Sequence, residues 1–177
     1  AGSVTCATGK PIAEAVSLAR GADAVVVIAG LPALDESEAF DRSHMRLPQD
    51  ELDLIDAILD VRSDAVIVLQ NGSPIELHFA ERARGILETY LGGEAGASAL
   101  ARILFGASSP GGRLAETFPI GQQDNPAHAW FPGQPRQVQY REGVFVGYRF
   151  YSTSGTEVRF PFGHGLSYTT FSWSDLS

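Results

Sequence analysis

Three short apolar runs, set among stretches of helical period, constrain this chain more than any other feature. Ala24-Val25-Val26-Val27-Ile28 and Ala65-Val66-Ile67-Val68-Leu69 contain no polar residue, and Gly85-Ile86-Leu87-Glu88-Thr89-Tyr90-Leu91 is a third run of comparable length. A strand with one wet face alternates apolar and polar residues. A continuous apolar run of about five residues instead reads as a strand covered on both faces, the habit of parallel sheets.

The segments between them carry the other period. Ile12 to Arg20 predicts a helix with Ile12, Ala15, Val16 and Ala19 on one face, entered at Pro11 and stopped at Gly21. Gln49 to Val61 predicts a second, with Leu52, Ile55, Ile58 and Leu59 as its stripe and acids in the first turn, where they suit the helix dipole. Further helices are expected from near Ile75, after Gln70-Asn71-Gly72-Ser73-Pro74, and from about Glu94 to Phe105. Alternation of this kind predicts an α/β fold, a mostly parallel sheet sandwiched by helices. Right-handed crossovers make it a doubly wound, flavodoxin-like arrangement.

After Gly106 the pattern changes. Leu114 to Phe118 reads as a short edge strand closed by Pro119, and residues 121–139 as an irregular, Gln-, Pro- and Gly-rich excursion. Val144 to Tyr151 reads as an aromatic-rich strand, Phe160 to Tyr168 as a structured loop, and Thr169 to Trp173 as the first strand of a further unit. The expected organisation is one α/β domain over residues 1–168, with an irregular excursion and closing strand at 120–150, followed by a linker or first strand at 169–177. The chain has no initiator methionine, and we read it as a piece of a larger polypeptide.

Composition narrows the partners. A net charge of −8 argues against nucleic acid and anionic membrane surfaces. No apolar run approaches the roughly 20 residues of a membrane span. The single cysteine, Cys6, forms neither an internal disulfide nor a metal site by itself, and the four histidines are too scattered to suggest zinc. There is no G-x-S-x-G elbow, phosphate loop or dinucleotide fingerprint. His164, between two glycines, reads as a structural residue. Gly92-Gly93-Glu94-Ala95-Gly96 reads as close helix-on-sheet packing, and Asn71-Gly72-Ser73-Pro74 as a turn with a helix cap.

The densest chemistry lies in Asp35-Glu36-Ser37-Glu38-Ala39-Phe40-Asp41-Arg42, directly beyond the first apolar run. Loops at the carboxyl ends of strands are where open α/β sheets bind ligands. Two readings stay open from these residues alone. One is a solvated acidic loop with Asp41 and Arg42 paired to each other or to neighbours. The other is a crowded carboxylate site able to keep one acid protonated for general acid catalysis on a glycoside.

Taken together, the motifs resemble glycoside hydrolase family 3, the family of many β-glucosidases. Ser37-Glu38-Ala39-Phe40-Asp41-Arg42 is similar to its S-E-G-x-D-R segment, and Leu69-Gln70-Asn71-Gly72-Ser73-Pro74-Ile75-Glu76 to its L-x-N-G-S-P-x-E strand end. Tyr90 to Gly96, Leu104 to Gly106, Pro110 to Pro119, Gly143 to Tyr151 and Phe160 to Phe171 continue the resemblance in order. The resemblance implies the second, α/β sandwich domain of a retaining β-glycosidase that acts on terminal non-reducing β-D-glycosyl residues. The implied partners are the β-glycoside substrate, an amino-terminal (β/α)8 barrel that supplies the aspartate nucleophile, and a fibronectin type III-like domain beyond about Thr170. No metal or organic cofactor is required by that chemistry.

By the same resemblance, Glu38 is the acid/base candidate and Glu36 the reserve. Phe40 is a candidate for stacking on the aglycone, and Asp41 with Arg42 would clamp the loop. Ala39 departs from the family glycine, and loss of easy access to positive φ predicts a somewhat different loop path. That departure motivates the alternative, a non-catalytic domain that supports the substrate pocket. An independent nucleotide binder of flavodoxin type is disfavoured by the absent phosphate loop. The sugar, the aglycone and the compartment are not legible in these residues.

Overall fold

The computed structural model describes residues 2–133 and 136–175. Positions 1, 134–135 and 176–177, which fall in the expected domain, excursion and linker, lie outside the described residues. Three strands, β1 (Val26–Gly30), β2 (Val66–Gln70) and β3 (Gly85–Glu88), form a parallel sheet in the order β1-β2-β3. Val27, Ile67 and Ile86 align across it, as do Ala29, Leu69 and Glu88. The expected α/β class with a parallel sheet and helices is the architecture observed.

Two helices pack against this sheet and each other. In α1 (Ile12–Gly21) Ala19 is buried, and Ala15 and Val16 pack on the core. In α2 (Gln49–Val61) Leu52, Ile55, Ile58 and Leu59 are buried, the stripe read from the sequence, with Asp50 and Glu51 in the first turn. These side chains join Val27, Ala29, Ile67 and Leu69 in one core. The opposite face of β1 is less covered, with Val26 and Ile28 at 44% and 58% exposure. The Arg62 guanidinium donates to the carbonyls of Ala19, Ala22 and Asp23, so a side chain from beyond α2 satisfies the free carbonyls at the end of α1.

The helix expected from Ile75 is absent. Ile75, Leu77 and Phe79 are buried while Glu76 is half-buried and His78 exposed, so a period of two wins over helix formation. The Glu76 amide donates to Met45 O, and turns follow through Ala83. The third helix, α3 (Gly96–Leu104), begins two residues later than expected.

The carboxyl-terminal third departs further from the sequence reading. Only Phe118–Pro119 of the expected edge strand is regular (β4), and it pairs antiparallel with β5 (Val158–Phe160). The strand expected over Val144 to Tyr151 is instead the helix α4 (Tyr148–Ser154). Gly147 at φ 57° and Gly155 at φ 70° bracket it, and the second is a left-handed helix stop. No strand is described over Thr169 to Trp173, where no neighbouring ladder meets the backbone. The Phe160–Tyr168 loop is structured as expected. Its His164 carbonyl accepts from Leu114 N, Gly163 N donates to Leu114 O, and Ser167 Oγ donates to Pro110 O. The His164 ring stacks on Phe160 at 4.9 Å, a structural role.

Candidate functional site

Because the strands are parallel and in register, the three segments that follow them emerge on one edge of the sheet. They are the acidic loop after Gly30, the Asn71–Pro74 turn after Gln70, and Thr89–Gly93 after Glu88. The strand ends are held closely. Leu31 N donates to Gln70 O at 3.0 Å, and Thr89 donates to Leu69 O through both its amide and its hydroxyl. Gly30 N donates to Glu51 Oε2 at 2.7 Å, which fixes β1 to the first turn of α2. Burial pushes the Glu51 carboxyl up, against the opposing pull of that hydrogen bond.

The acidic loop is anchored on the middle turn by Glu36. A turn at Pro32, whose carbonyl accepts from Asp35 N and Glu36 N, starts the loop. Glu36 Oε2 then accepts from Gly72 N at 2.7 Å, and its Oε1 accepts from Ser73 Oγ at 2.7 Å. A Cβ on Gly72 would meet that carboxylate at 3.2–3.3 Å, so a glycine is what lets it seat so closely. Arg42 adds a second anchor, donating from a terminal guanidinium nitrogen to Ser73 Oγ at 2.9 Å. Its guanidinium is pulled below its usual range by burial, an effect opposed by Glu36 and Asp35. Of the two pairings left open, Arg42 takes the one with a neighbour, Ser73, and Asp41 is exposed.

Between these anchors the loop turns sharply. Phe40 N donates to Ser37 O, and Ala39 sits at φ 69°. A positive φ at the third residue alone marks a type II turn, whose usual occupant is glycine. Ala39 therefore adopts the positive φ to which the sequence reading expected alanine to lack easy access. Glu38 is the second residue of that turn, exposed at its tip, and Phe40 is 74% exposed beside it. The loop rims a hollow of about 210 Å³ lined by Phe40, Asp41, Arg42 and His44. A larger hollow of about 430 Å³, between Trp130, Phe145 and Phe150, touches none of the strand-end residues. Among the described residues no group of three His, Cys, Asp or Glu is placed to hold a metal ion, and no helix is long and apolar enough to cross a membrane.

The strand that leads into the third segment contributes a residue that sequence reasoning passed over. Glu88, the last residue of β3, accepts from Asn71 Nδ2 at 3.2 Å and from Tyr90 N at 2.9 Å. Burial, with a smaller contribution from Glu36, pushes the Glu88 carboxyl up to about 7. Asn71 is fully buried and also donates to Ser73 O, while its own Oδ1 has no partner. Tyr90 sits at φ 49°, and its hydroxyl accepts from Ala115 N. The one signal in the sequence was a lone acid inside an otherwise apolar run.

A parallel α/β domain with a carboxylate-bearing loop on its strand-end edge is the class that fold and site define. The model of the glycosyl hydrolase family 3 C-terminal domain matches residues 5–168, and the chain belongs to that family. It is 52% identical over 166 residues to thermostable beta-glucosidase B of Acetivibrio thermocellus, covering 94% of this chain and 22% of that protein. It is 45% identical over 159 residues to an exo-alpha-(1->6)-L-arabinopyranosidase of Bifidobacterium breve, covering 89% and 21%. The family 3 beta-glucosidase of Bifidobacterium adolescentis superposes with a TM-score of 0.87 at 44% identity, over 95% of this chain and 25% of that one. The Kluyveromyces marxianus beta-glucosidase in complex with glucose gives 0.88 at 38%, over 94% and 20%. The chain thus spans only a fifth to a quarter of the length of these relatives.

Proposed function

We propose that this domain serves a retaining β-glycosidase acting on terminal β-D-glycosyl residues, with Glu38 as general acid/base. The supporting observation is the unequal engagement of the two glutamates. Both oxygens of Glu36 are taken by Gly72 N and Ser73 Oγ, whereas Glu38 is exposed at the tip of the turn that Glu36 anchors, its carboxylate without a hydrogen bond among the described residues. A group that must exchange a proton with substrate has to be reachable; a group with both oxygens hydrogen-bonded to its own fold is suited to positioning. Glu36 is thus assigned to positioning and Arg42 to clamping. Phe40 offers an exposed ring for the aglycone side.

In the complete enzyme an aspartate of a (β/α)8 barrel is the nucleophile, about 5–5.5 Å from the Glu38 carboxyl across the glycosidic bond. Protonated Glu38 gives its proton to the leaving oxygen as the aspartate attacks the anomeric carbon. The resulting carboxylate then takes a proton from the water that attacks the glycosyl-enzyme. In this reading residues 1–168 form the domain, 169–177 lead towards a fibronectin type III-like unit, and this chain alone is inactive. The relatives' names include both a glucosidase and an arabinopyranosidase, so likeness in this domain does not by itself fix the sugar.

The test is Glu38→Ala in the full-length enzyme. General acid/base groups contribute about 10²–10⁴-fold, so that loss is expected on aryl glucosides with poor leaving groups, with azide restoring part of the rate on activated ones. Near wild-type rates for Glu38→Ala, with the loss appearing in Glu36→Ala, would move the role to Glu36. Full activity of the double variant would establish the non-catalytic supporting role instead.

A further inference from the structure

We propose that Glu88 is a positioning residue for the acidic loop, acting on Glu38 through the Asn71–Ser73 turn. The inference rests on the acid/base role of Glu38 and extends it to a carboxylate at the end of β3, two strands away from the loop. The geometry that carries it is a turn gripped by two acids. From the acidic loop, Glu36 accepts from Gly72 N and Ser73 Oγ; from β3, Glu88 accepts from the Asn71 side chain. Asn71 joins the two grips, because the same amide nitrogen that donates to Glu88 also donates to Ser73 O.

Asn71 has little freedom to substitute for a lost partner. Its side chain is fully buried, and its Oδ1 already lacks one, so both bonds of Nδ2 are what fix the amide. Glu88 in turn is tied by Tyr90 N, across a residue in the left-handed region. The charged and titratable groups around this assembly are Glu36 from the acidic loop, which repels Glu88, the Tyr90 phenol following β3, and Arg42, which binds Ser73 and attracts Glu36. Exchanging the Glu88 carboxylate for an amide leaves one acceptor oxygen for two donors, Asn71 Nδ2 and Tyr90 N, and sets an NH2 against whichever it does not serve. The grip of β3 on Asn71 weakens, the Ser73 end of the turn loosens, and both anchors of the acidic loop, Glu36 and Arg42, shift with it. Glu88 touches neither substrate nor the reacting atoms in this scheme.

The experiment uses the full-length enzyme and aryl β-glucosides whose phenols span a range of acidity. Glu88→Gln should lower kcat about tenfold on the poorest leaving groups, a fraction of the full acid contribution, with KM little changed and activated substrates nearly unaffected. Added to Glu38→Ala, it should cost nothing more, because the group it positions is gone. Glu88→Asp keeps the charge one methylene shorter and should show the same leaving-group signature at smaller size; it carries the test if the Gln variant does not fold. An equal slowing of all substrates, or a further loss in the Glu38→Ala background, would overturn the inference. If Glu38→Ala itself shows no leaving-group dependence, the acid/base reading fails and this inference falls with it. If Glu38→Ala shows that dependence and neither Glu88 variant does, the positioning role alone is refuted.

Discussion

Ala39 provides a sharp test, because its strain can be sized from its backbone alone. Its φ of 69° lies in the left-handed region, at the third position of the Ser37–Phe40 turn. An L-residue there costs about 1–2 kcal/mol through crowding of Cβ against the following carbonyl. Ala39→Gly removes that crowding but frees the unfolded chain, which costs about 0.4–1 kcal/mol. The net expectation is a gain of about 0.5–1 kcal/mol. At about 2–4 °C per kcal/mol for a domain of this size, the melting transition should rise by about 1–4 °C. Ala39→Val should move it down, since a β-branched residue tolerates positive φ less well than alanine. The assay is calorimetry of the intact enzyme with all three sequences in one buffer, alongside kcat on an activated aryl glucoside. Because glycine keeps the turn that presents Glu38, kcat should stay within about twofold of wild type. A lower transition for Ala39→Gly, or an unchanged one for Ala39→Val, would refute the left-handed assignment.

Three further outcomes are expected from the strand-end edge. Gly30→Ala should cost about 1–3 kcal/mol or more, because its Cβ would fall on the Gln70 carbonyl and backbone cannot swing aside; urea denaturation would show it, and a neutral result would deny the close approach. Asn71→Ala should destabilise by about 1–3 kcal/mol by stranding Ser73 O and adding to the burden on Glu88, read as a shift in urea midpoint at constant slope. Glu88 has a folded pKa of about 7 above its ordinary 4.5, so the stability gained from its proton is fully present below pH 4.5 and is lost as pH rises through 7. At 1.36 kcal/mol per unit this is at most about 3 kcal/mol. Wild type should therefore lose stability relative to Glu88→Gln between pH 5 and pH 8, and parallel curves would show that Glu88 is not held in this way.

The α/β class, the Gln49–Val61 helix and the first two strands were legible because each is a local pattern. An apolar stripe at helical spacing and an unbroken apolar run mark the element in their own composition, although β1 buries Val27 and Ala29 and leaves Val26 and Ile28 exposed rather than covered on both faces as expected. The acidic loop was legible as a cluster of acids beyond a strand; the nomination of Glu38, Glu36 and Phe40 within it came from the family resemblance, not from side-chain type. Where several local signals competed, the pattern misled. Pro74 looked like a helix start, but Ile75, Leu77 and Phe79 all find the core only in extended chain. The aromatics of 144–151 suggested a strand, but no ladder is available, and Gly147 and Gly155 frame a helix instead.

What the sequence by itself determined is the set of parts: buried strands, amphipathic helices, a loop of acids, a turn of small polar residues. Only the tertiary structure decided which part answers to which. Parallel register delivers three loops to one edge, and contacts across 36 and 17 residues of chain then sort the acids. Glu36 is spent on holding the Gly72–Ser73 turn, Glu88 on holding Asn71, and Glu38 is left free. That division arises from hydrogen bonds between segments distant along the chain, and no local pattern records such a bond.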